Sequence, residues 1–129
     1  MRKRSPDLAK ARSLVTASES EMAFLNTLDP TPEAASTLIR GIYENFRRLG
    51  SALLLLDGLE GDHEQEIQAL IQLNPSTARP VQVLHNLRRL RHDINYRGYQ
   101  PSENDLRDVL SIKESCWGPI LNEVKKRST

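Results

Sequence analysis

This sequence has a single cysteine, few aromatic residues and no long apolar run, and each scarcity excludes a class of protein. Cys116 stands alone, so an intramolecular disulfide and a cysteine-based metal site are excluded. The longest apolar run, residues 52–56, is far shorter than the roughly 18 residues that a membrane span requires. Aromatic residues make up 5% of the chain, so leucine and isoleucine must build most of the core.

Charge of one sign is also lacking, because 18 basic residues face 17 acidic ones and leave a net charge of +1. This balance provides no overall attraction to nucleic acid or to a membrane surface. Electrostatic recognition must therefore come from a local cluster. The basic residues 1–4 are not followed by an apolar segment, so no secretory signal is predicted and a cytoplasmic location is expected.

Apolar residues recur at three- and four-residue spacing along five segments, and no segment alternates with a period of two. We predict an all-α protein, an up-and-down bundle of four to five helices, with residues 1–129 as one domain. Residues 1–5 and 126–129 are expected to be flexible. The predicted helices begin after Ser5 and Thr31, at the capping pairs Asp62–Gln65 and Ser102–Asp105, and near residue 83.

Glycine and proline interrupt two of these helices. Residues 32–56 form the longest apolar stripe and are expected to be the central helix. Gly41 and Gly50 lie within it, either to permit close approach of another helix or because packing tolerates them. Gly118 and Pro119 lie inside the last stripe, where a proline is expected to kink or split the helix.

The densest polar cluster lies in residues 85–99 of the fourth predicted helix and the loop after it. On a helix, His85, Arg88, Arg89 and His92 share one face. Two interpretations stay open: an ordinary solvated basic face, or a surface that contacts phosphate or RNA. Interleaved arginine and tyrosine residues favour single-stranded nucleic acid over a duplex. The candidate phosphate- or nucleic-acid-binding residues are Arg88, Arg91, Asn95, Tyr96, Arg97 and Tyr99.

Other chemistry is poorly represented in the sequence. His63 beside Glu64 has no histidine or cysteine at metal-ligand spacing, so we predict an exposed residue in the first turn of a helix. Cys116 is predicted to be a half-buried structural thiol. No glycine-rich phosphate loop, nucleophile elbow or zinc motif is present, so neither a metal nor a cofactor is predicted.

Residues 90–99, LRHDINYRGY, resemble the signature segment of the HEPN domain family. In that family an arginine, usually followed by a polar residue, precedes a histidine by four to six positions, and a tyrosine often follows. Residues 42–46 and 52–56, with His63–Glu64 and the helix after them, are similar to the second and third helices of the family. The resemblance covers roughly residues 35 to 125 and joins an order of helices to a local motif.

The resemblance implies a helical homodimer in which the signature helices of two subunits face a shared cleft. Many members of the family are metal-independent ribonucleases, often toxins encoded beside a nucleotidyltransferase-like antitoxin. Others are non-catalytic modules that bind RNA or protein. Arg91 matches the family arginine and His92 takes the polar position after it, while Tyr96 stands where the family histidine belongs.

The tyrosine at this position weakens the expectation of catalysis. A phenol, with a reference pKa of about 10, is a poorer base near neutral pH than imidazole. The leading hypothesis is therefore a dimeric RNA-binding protein of a toxin–antitoxin, stress or defence system, with catalysis in doubt. One alternative is an active metal-independent endoribonuclease, whose catalytic candidates are Arg91, His92 and Tyr96. The other is a protein-interaction module without RNA.

Overall fold

Five α-helices make up most of the chain in the computed structural model, which describes residues 1–129. They are α1 (Leu8–Leu25), α2 (Ala35–Leu56), α3 (His63–Leu73), α4 (Leu84–Tyr96) and α5 (Glu103–Arg127). The chain is 74% helical, and the predicted all-α bundle is confirmed. None of the five helices has the combination of length and hydropathy that would let it cross a bilayer.

Side-chain caps define where several helices begin. Asp7, rather than the predicted Ser5, caps α1, because its carboxylate accepts the backbone N–H of Lys10 at 2.9 Å. Thr31 caps a short 3₁₀ turn that leads into α2. The capping boxes predicted at the starts of α3 and α5 are both present. Local sequence thus determines these starts, since each cap satisfies N–H groups that lack a partner within the helix.

Helix α2 is the centre of the bundle and packs against all four other helices. Its side chains Ile39, Phe46 and Leu49 are fully buried. At Gly50, a Cβ atom would overlap the backbone carbonyl of Glu66, so this glycine permits the close crossing of α2 and α3. Of the two predicted explanations for Gly50, close approach of another helix is therefore confirmed over tolerance by the packing. The crossing places the start of α3 beside α2.

The N-terminus and the segment after α2 form a small sheet that the sequence did not predict. Strand β1 (Arg2–Lys3) pairs antiparallel with β2 (Leu59–Glu60). The backbone N–H of Arg4 also donates to the carbonyl of Gly58 at 2.9 Å, and Arg2 forms an ion pair with Glu60. Two-residue strands are too short to produce a visible period, which explains why the prediction of no strand was wrong.

The two ends of the chain, predicted to be flexible, make specific contacts. Residues 2–4 join the small sheet, as described above. At the other end, α5 extends to Arg127, and Ser128 is buried with its hydroxyl donating to the carbonyl of Val124 at 2.9 Å.

Helix α5 is continuous through Pro119, so the expected split does not occur. A proline removes one backbone donor from the helix. Buried residues on both sides, Cys116 and Ile120 among them, nevertheless hold the two halves of α5 against the core. Tertiary packing here outweighs the local cost of the proline. The thiol of Cys116 is fully buried rather than half-buried.

Candidate functional site

Helix α4 is anchored by one face and presents the other as a polar surface. Leu84, Leu87 and Ile94 are buried in the core. Their spacing of three and seven residues keeps them on one side of the helix. Arg88 and Arg91, four and seven residues after Leu84, lie along the border of this buried face and are partly buried, whereas His92 is exposed.

A cavity of about 320 Å³ lies between α2, the first turn of α3 and this polar side of α4. Four lining side chains come from α4, and one each comes from α2 and α3. The lining residues are Tyr43, His63, Arg88, Arg91, His92 and Tyr96. None of them is acidic, so the cavity combines cationic, imidazole and phenol groups without a carboxylate. We refer to it as the α4 cavity.

Arg88 and Arg91 differ from every other arginine of the chain. All the others take part in an ion pair or donate a side-chain hydrogen bond, whereas these two do neither. Both side chains are partly buried. A partly desolvated charge without a partner is unfavourable, so an anion supplied from outside would stabilise this arrangement.

Arg91 lies between two tyrosine rings. Its guanidinium carbon is 5.2 Å from the ring centroid of Tyr43 and 5.9 Å from that of Tyr96. Both distances fall within the range of cation–π attraction. The ring of His92 lies 4.9 Å from that of Tyr96, tilted by 47°. Tyr96 itself is 68% exposed and forms the rim of the cavity.

Tyr43 forms the inner wall, and its hydroxyl is an unsatisfied donor. The residue is 1% exposed, and its Oη atom has no hydrogen-bond partner. Burial raises the pKa of Tyr43, although the positive charges of Arg91 and Arg88 act in the opposite direction. The phenol is therefore protonated at neutral pH and offers an O–H donor. The Nε atom of Arg88 is likewise buried without a partner.

His63 is a cavity residue that the motif spacing did not reveal. Its ring centroid lies 6.1 Å from that of Tyr43, at the first position of α3. The prediction of an exposed first-turn residue is correct, but it missed the cavity. Burial lowers the pKa of His63, and the positive charges of Arg47 and Arg91 lower it further. The imidazole is thus mostly neutral at pH 7, and the only sequence signal for it was its place in the HEPN resemblance.

An ion-pair network connects α2 and α3 next to Tyr43 and His63. Arg47 donates to both carboxylate oxygens of Glu66, at 2.9 and 3.0 Å, and to both of Glu44, at 2.7 and 3.0 Å. Burial alone would raise the pKa of Glu44, but the hydrogen bonds and charge of Arg47 lower it. These carboxylates are therefore engaged by Arg47 and leave Arg88 and Arg91 unpaired.

Only some of the predicted site residues lie in the α4 cavity. Arg88, Arg91 and Tyr96 meet in the α4 cavity, while Arg97 lines an adjacent depression and pairs with Asp93 at 3.6 Å. Asn95 does not reach the cavity, because its side-chain oxygen accepts from Nε of Arg40 at 2.6 Å.

Three further side chains of the polar cluster also lie outside the α4 cavity. Tyr99 donates its hydroxyl to Asp105, the third residue of α5, which forms the capping box with Ser102. His85 is partly buried and lines neither the cavity nor the adjacent depression, whereas Arg89 lines the depression only. Helical spacing alone thus grouped residues that tertiary contacts separate.

The fold and the cavity together define an all-α bundle with a cationic, aromatic-lined site. Comparisons with known proteins add no relative, because no family model, curated protein or solved structure matches the chain. The resemblance to HEPN domains therefore stays a prediction.

Proposed function

We propose that the chain is a HEPN-like protein that binds single-stranded RNA through the α4 cavity and the adjacent depression. The observation that carries the proposal is the pair of partly buried, unpaired guanidinium groups of Arg88 and Arg91. Arginine matches the geometry of phosphate oxygens and accounts for much of the affinity of proteins for nucleic acid. The exposed ring of Tyr96 supports RNA as the ligand, because unpaired bases stack on such rings.

The positive charge is local, which fits this proposal better than a general electrostatic attraction. Net charge is only +1, yet Arg88, Arg89 and Arg91 stand on one helix without a carboxylate partner. A single-stranded backbone that crosses α4, from the depression lined by Arg88 and Arg89 to the cavity lined by Arg88 and Arg91, would place phosphates near all three side chains. The same local charge could attract an acidic protein segment, which is the competing hypothesis.

Salt dependence of RNA binding tests the proposal. We expect a fluorescent single-stranded RNA of about ten nucleotides to bind at low salt, with affinity falling steeply as salt rises. Arg91→Gln should weaken binding and reduce the slope of log K against log salt by about 0.7, the value for one phosphate contact on a single strand.

Arg127→Gln is the matched control, because Arg127 is paired with Glu123 near the end of α5 and lies outside both depressions. This variant removes the same charge and should keep the native affinity. Equal affinity of the native protein and Arg91→Gln, or no binding at low salt, would contradict the proposal.

A second candidate function, metal-independent cleavage of RNA, is favoured by the position of His63. A neutral imidazole that lines the same cavity as Arg91 has the protonation state that a general base requires. It would take the proton of the ribose 2′-hydroxyl as that oxygen attacks the adjacent phosphorus, while Arg91 holds the phosphate. The bond from phosphorus to the 5′-oxygen breaks, and the leaving oxygen takes a proton from water. Incubation of labelled RNA with the protein and a chelator tests this candidate, and cleavage that His63→Gln abolishes supports it. Intact RNA between about pH 6 and pH 9 speaks against it.

The resemblance also leads us to propose a homodimer with α4 of each subunit near the shared cleft. The exposed aromatic side chains Tyr96 and Tyr99 at the end of α4 are consistent with a contact surface there. Sedimentation velocity at tens of micromolar tests this proposal, and a strictly monomeric profile contradicts it. A neighbouring gene for a nucleotidyltransferase-like protein would support a role in a toxin–antitoxin pair.

A further inference from the structure

The charge of the α4 cavity matches one kind of phosphate better than another. An internal phosphodiester has one negative charge and two free oxygens. A terminal phosphomonoester has a charge of about −1.5 to −2 near neutral pH and three strong acceptor oxygens. Arg88 and Arg91 bring two positive charges, and no acidic side chain lines the cavity. A terminal phosphate therefore balances this charge, whereas an internal phosphate leaves part of it uncompensated.

Each of the two unsatisfied polar atoms of the cavity residues carries a hydrogen that it can donate. Tyr43 Oη and Arg88 Nε are buried without a partner, and Tyr43 is 1% exposed. Buried polar groups almost always have a hydrogen-bond partner, so two orphans at one cavity indicate a ligand that accepts hydrogen bonds. A phosphate group accepts and does not need to donate. Both the charge and the hydrogen-bonding capacity of the cavity thus favour the same group.

The volume of the cavity limits how large a group attached to this phosphate can enter. About 320 Å³ lies at the lower end of the roughly 300–1,000 Å³ typical of small-ligand sites, so we expect one nucleotide to enter. Tyr43 is buried and lies at the inner wall, and the exposed ring of Tyr96 lies at the rim. A nucleotide with its phosphate inward would place its base at Tyr96, where stacking is favourable.

We propose that the α4 cavity binds the terminal phosphomonoester of a nucleotide, with Arg88, Arg91 and Tyr43 on the phosphate and Tyr96 on the base. The phosphorylated end of an RNA strand and a free nucleoside monophosphate share this chemistry. The inference rests on the proposed RNA-binding function and adds that the protein recognises the end of the strand.

Three single-stranded RNAs of about ten nucleotides test this inference in an anisotropy assay with an internal label. One has a 5′-phosphate, one a 3′-phosphate, and one hydroxyl groups at both ends. A fourth RNA, one nucleotide longer with hydroxyl ends, carries its one added phosphate internally and serves as the control for an extra phosphate. We expect a phosphate at one of the two ends to tighten binding about tenfold or more, the effect of one further charge-assisted hydrogen bond.

Variants of the cavity should remove this preference selectively. Arg91→Gln and the isosteric Tyr43→Phe should reduce the advantage of the terminal phosphate, whereas Arg127→Gln should preserve it. Tyr43→Phe keeps the buried ring, so its folding is not at risk in the way that a truncation would be. A free nucleoside monophosphate should compete with the phosphorylated RNA, and the unphosphorylated nucleoside should not.

The outcomes separate this inference from the proposed function. Equal affinity for all four RNAs, lowered uniformly by Arg91→Gln, overturns the inference and leaves RNA binding intact. Binding of the nucleoside monophosphate without binding of any RNA supports the phosphomonoester site and overturns RNA binding. Absence of binding by every ligand overturns both.

Discussion

The hydroxyl of Tyr43 is the least satisfied group in the core. Its ring is buried and contributes to packing, but Oη has no partner in the chain. An unsatisfied buried hydroxyl costs about 1–3 kcal/mol. Residues that bind a ligand often destabilise the free protein, and Tyr43 fits that pattern if its hydroxyl is reserved for an anion.

Tyr43→Phe should therefore stabilise the free protein. We expect the free energy of unfolding to rise by about 1 kcal/mol, because the ring is retained and the unsatisfied donor is lost. Urea denaturation measures this change. Tyr99→Phe is the control, since the hydroxyl of Tyr99 donates to Asp105 and its loss should not stabilise the fold. A loss of stability for Tyr43→Phe similar to that for Tyr99→Phe would contradict the prediction.

Among the individual site residues, the sequence predicts only those that lie on one helix, α4. Arg88, His92 and Tyr96 follow one another at four-residue spacing, and Arg91 lies three residues after Arg88, so their grouping was predictable. Tyr43 and His63 come from α2 and α3, and no local pattern indicates which residue of another helix will face α4. Asn95 has the right spacing from Arg91, but Arg40 of α2 takes its oxygen.

Among the helices, the crossing of α2 and α3 depends on Gly50. A methyl group there would overlap the carbonyl of Glu66, a backbone atom that cannot rotate away. Glu66 also accepts from Arg47, so the crossing aligns the ion-pair network beside His63. The approach of these two helices thus determines both the packing and one wall of the α4 cavity.

Gly50→Ala should destabilise the protein despite the better helix propensity of alanine. The propensity gain is about 1 kcal/mol, whereas overpacking of a tight contact costs about 1–3 kcal/mol and more where backbone must move. We expect the clash to dominate, with a lower melting temperature by calorimetry. Gly118→Ala provides the control, because its Cβ would meet open space on α5 and should cause no comparable loss. An unchanged or raised melting temperature for Gly50→Ala would show that α3 shifts without cost.

Helix boundaries were predictable where one local device defines them and unpredictable where distant parts of the chain cooperate. The capping boxes at Asp62 and Ser102 involve residues three positions apart, and both were predicted. The β1–β2 pair joins the N-terminus to the segment after α2, so neither strand has a signature of its own. Continuity of α5 through Pro119 similarly depends on burial that only the assembled bundle provides.

For the molecule as a whole, the free energy of unfolding should depend on the protonation state of His63 in the α4 cavity. Burial and the charges of Arg47 and Arg91 place the folded-state pKa of His63 below its ordinary value of about 6.5. The unfolded chain then binds more protons than the folded one as pH falls past 6.5, so protonation favours unfolding. His63 therefore lowers the free energy of unfolding least above pH 6.5. It lowers the free energy of unfolding more as the pH falls toward the folded-state pKa.

Comparison of the native protein with His63→Gln isolates this contribution from those of other titrating groups. We expect the unfolding free energy of the native protein minus that of the variant to fall between about pH 7.5 and pH 5. Urea denaturation at each pH measures this difference. Parallel profiles would contradict the prediction. Binding of a nucleoside monophosphate should reverse the trend, because an anion beside Arg91 offsets the positive potential that disfavours the imidazolium. The NMR titration of His63 should then move to higher pH with the ligand and stay unshifted with the nucleoside.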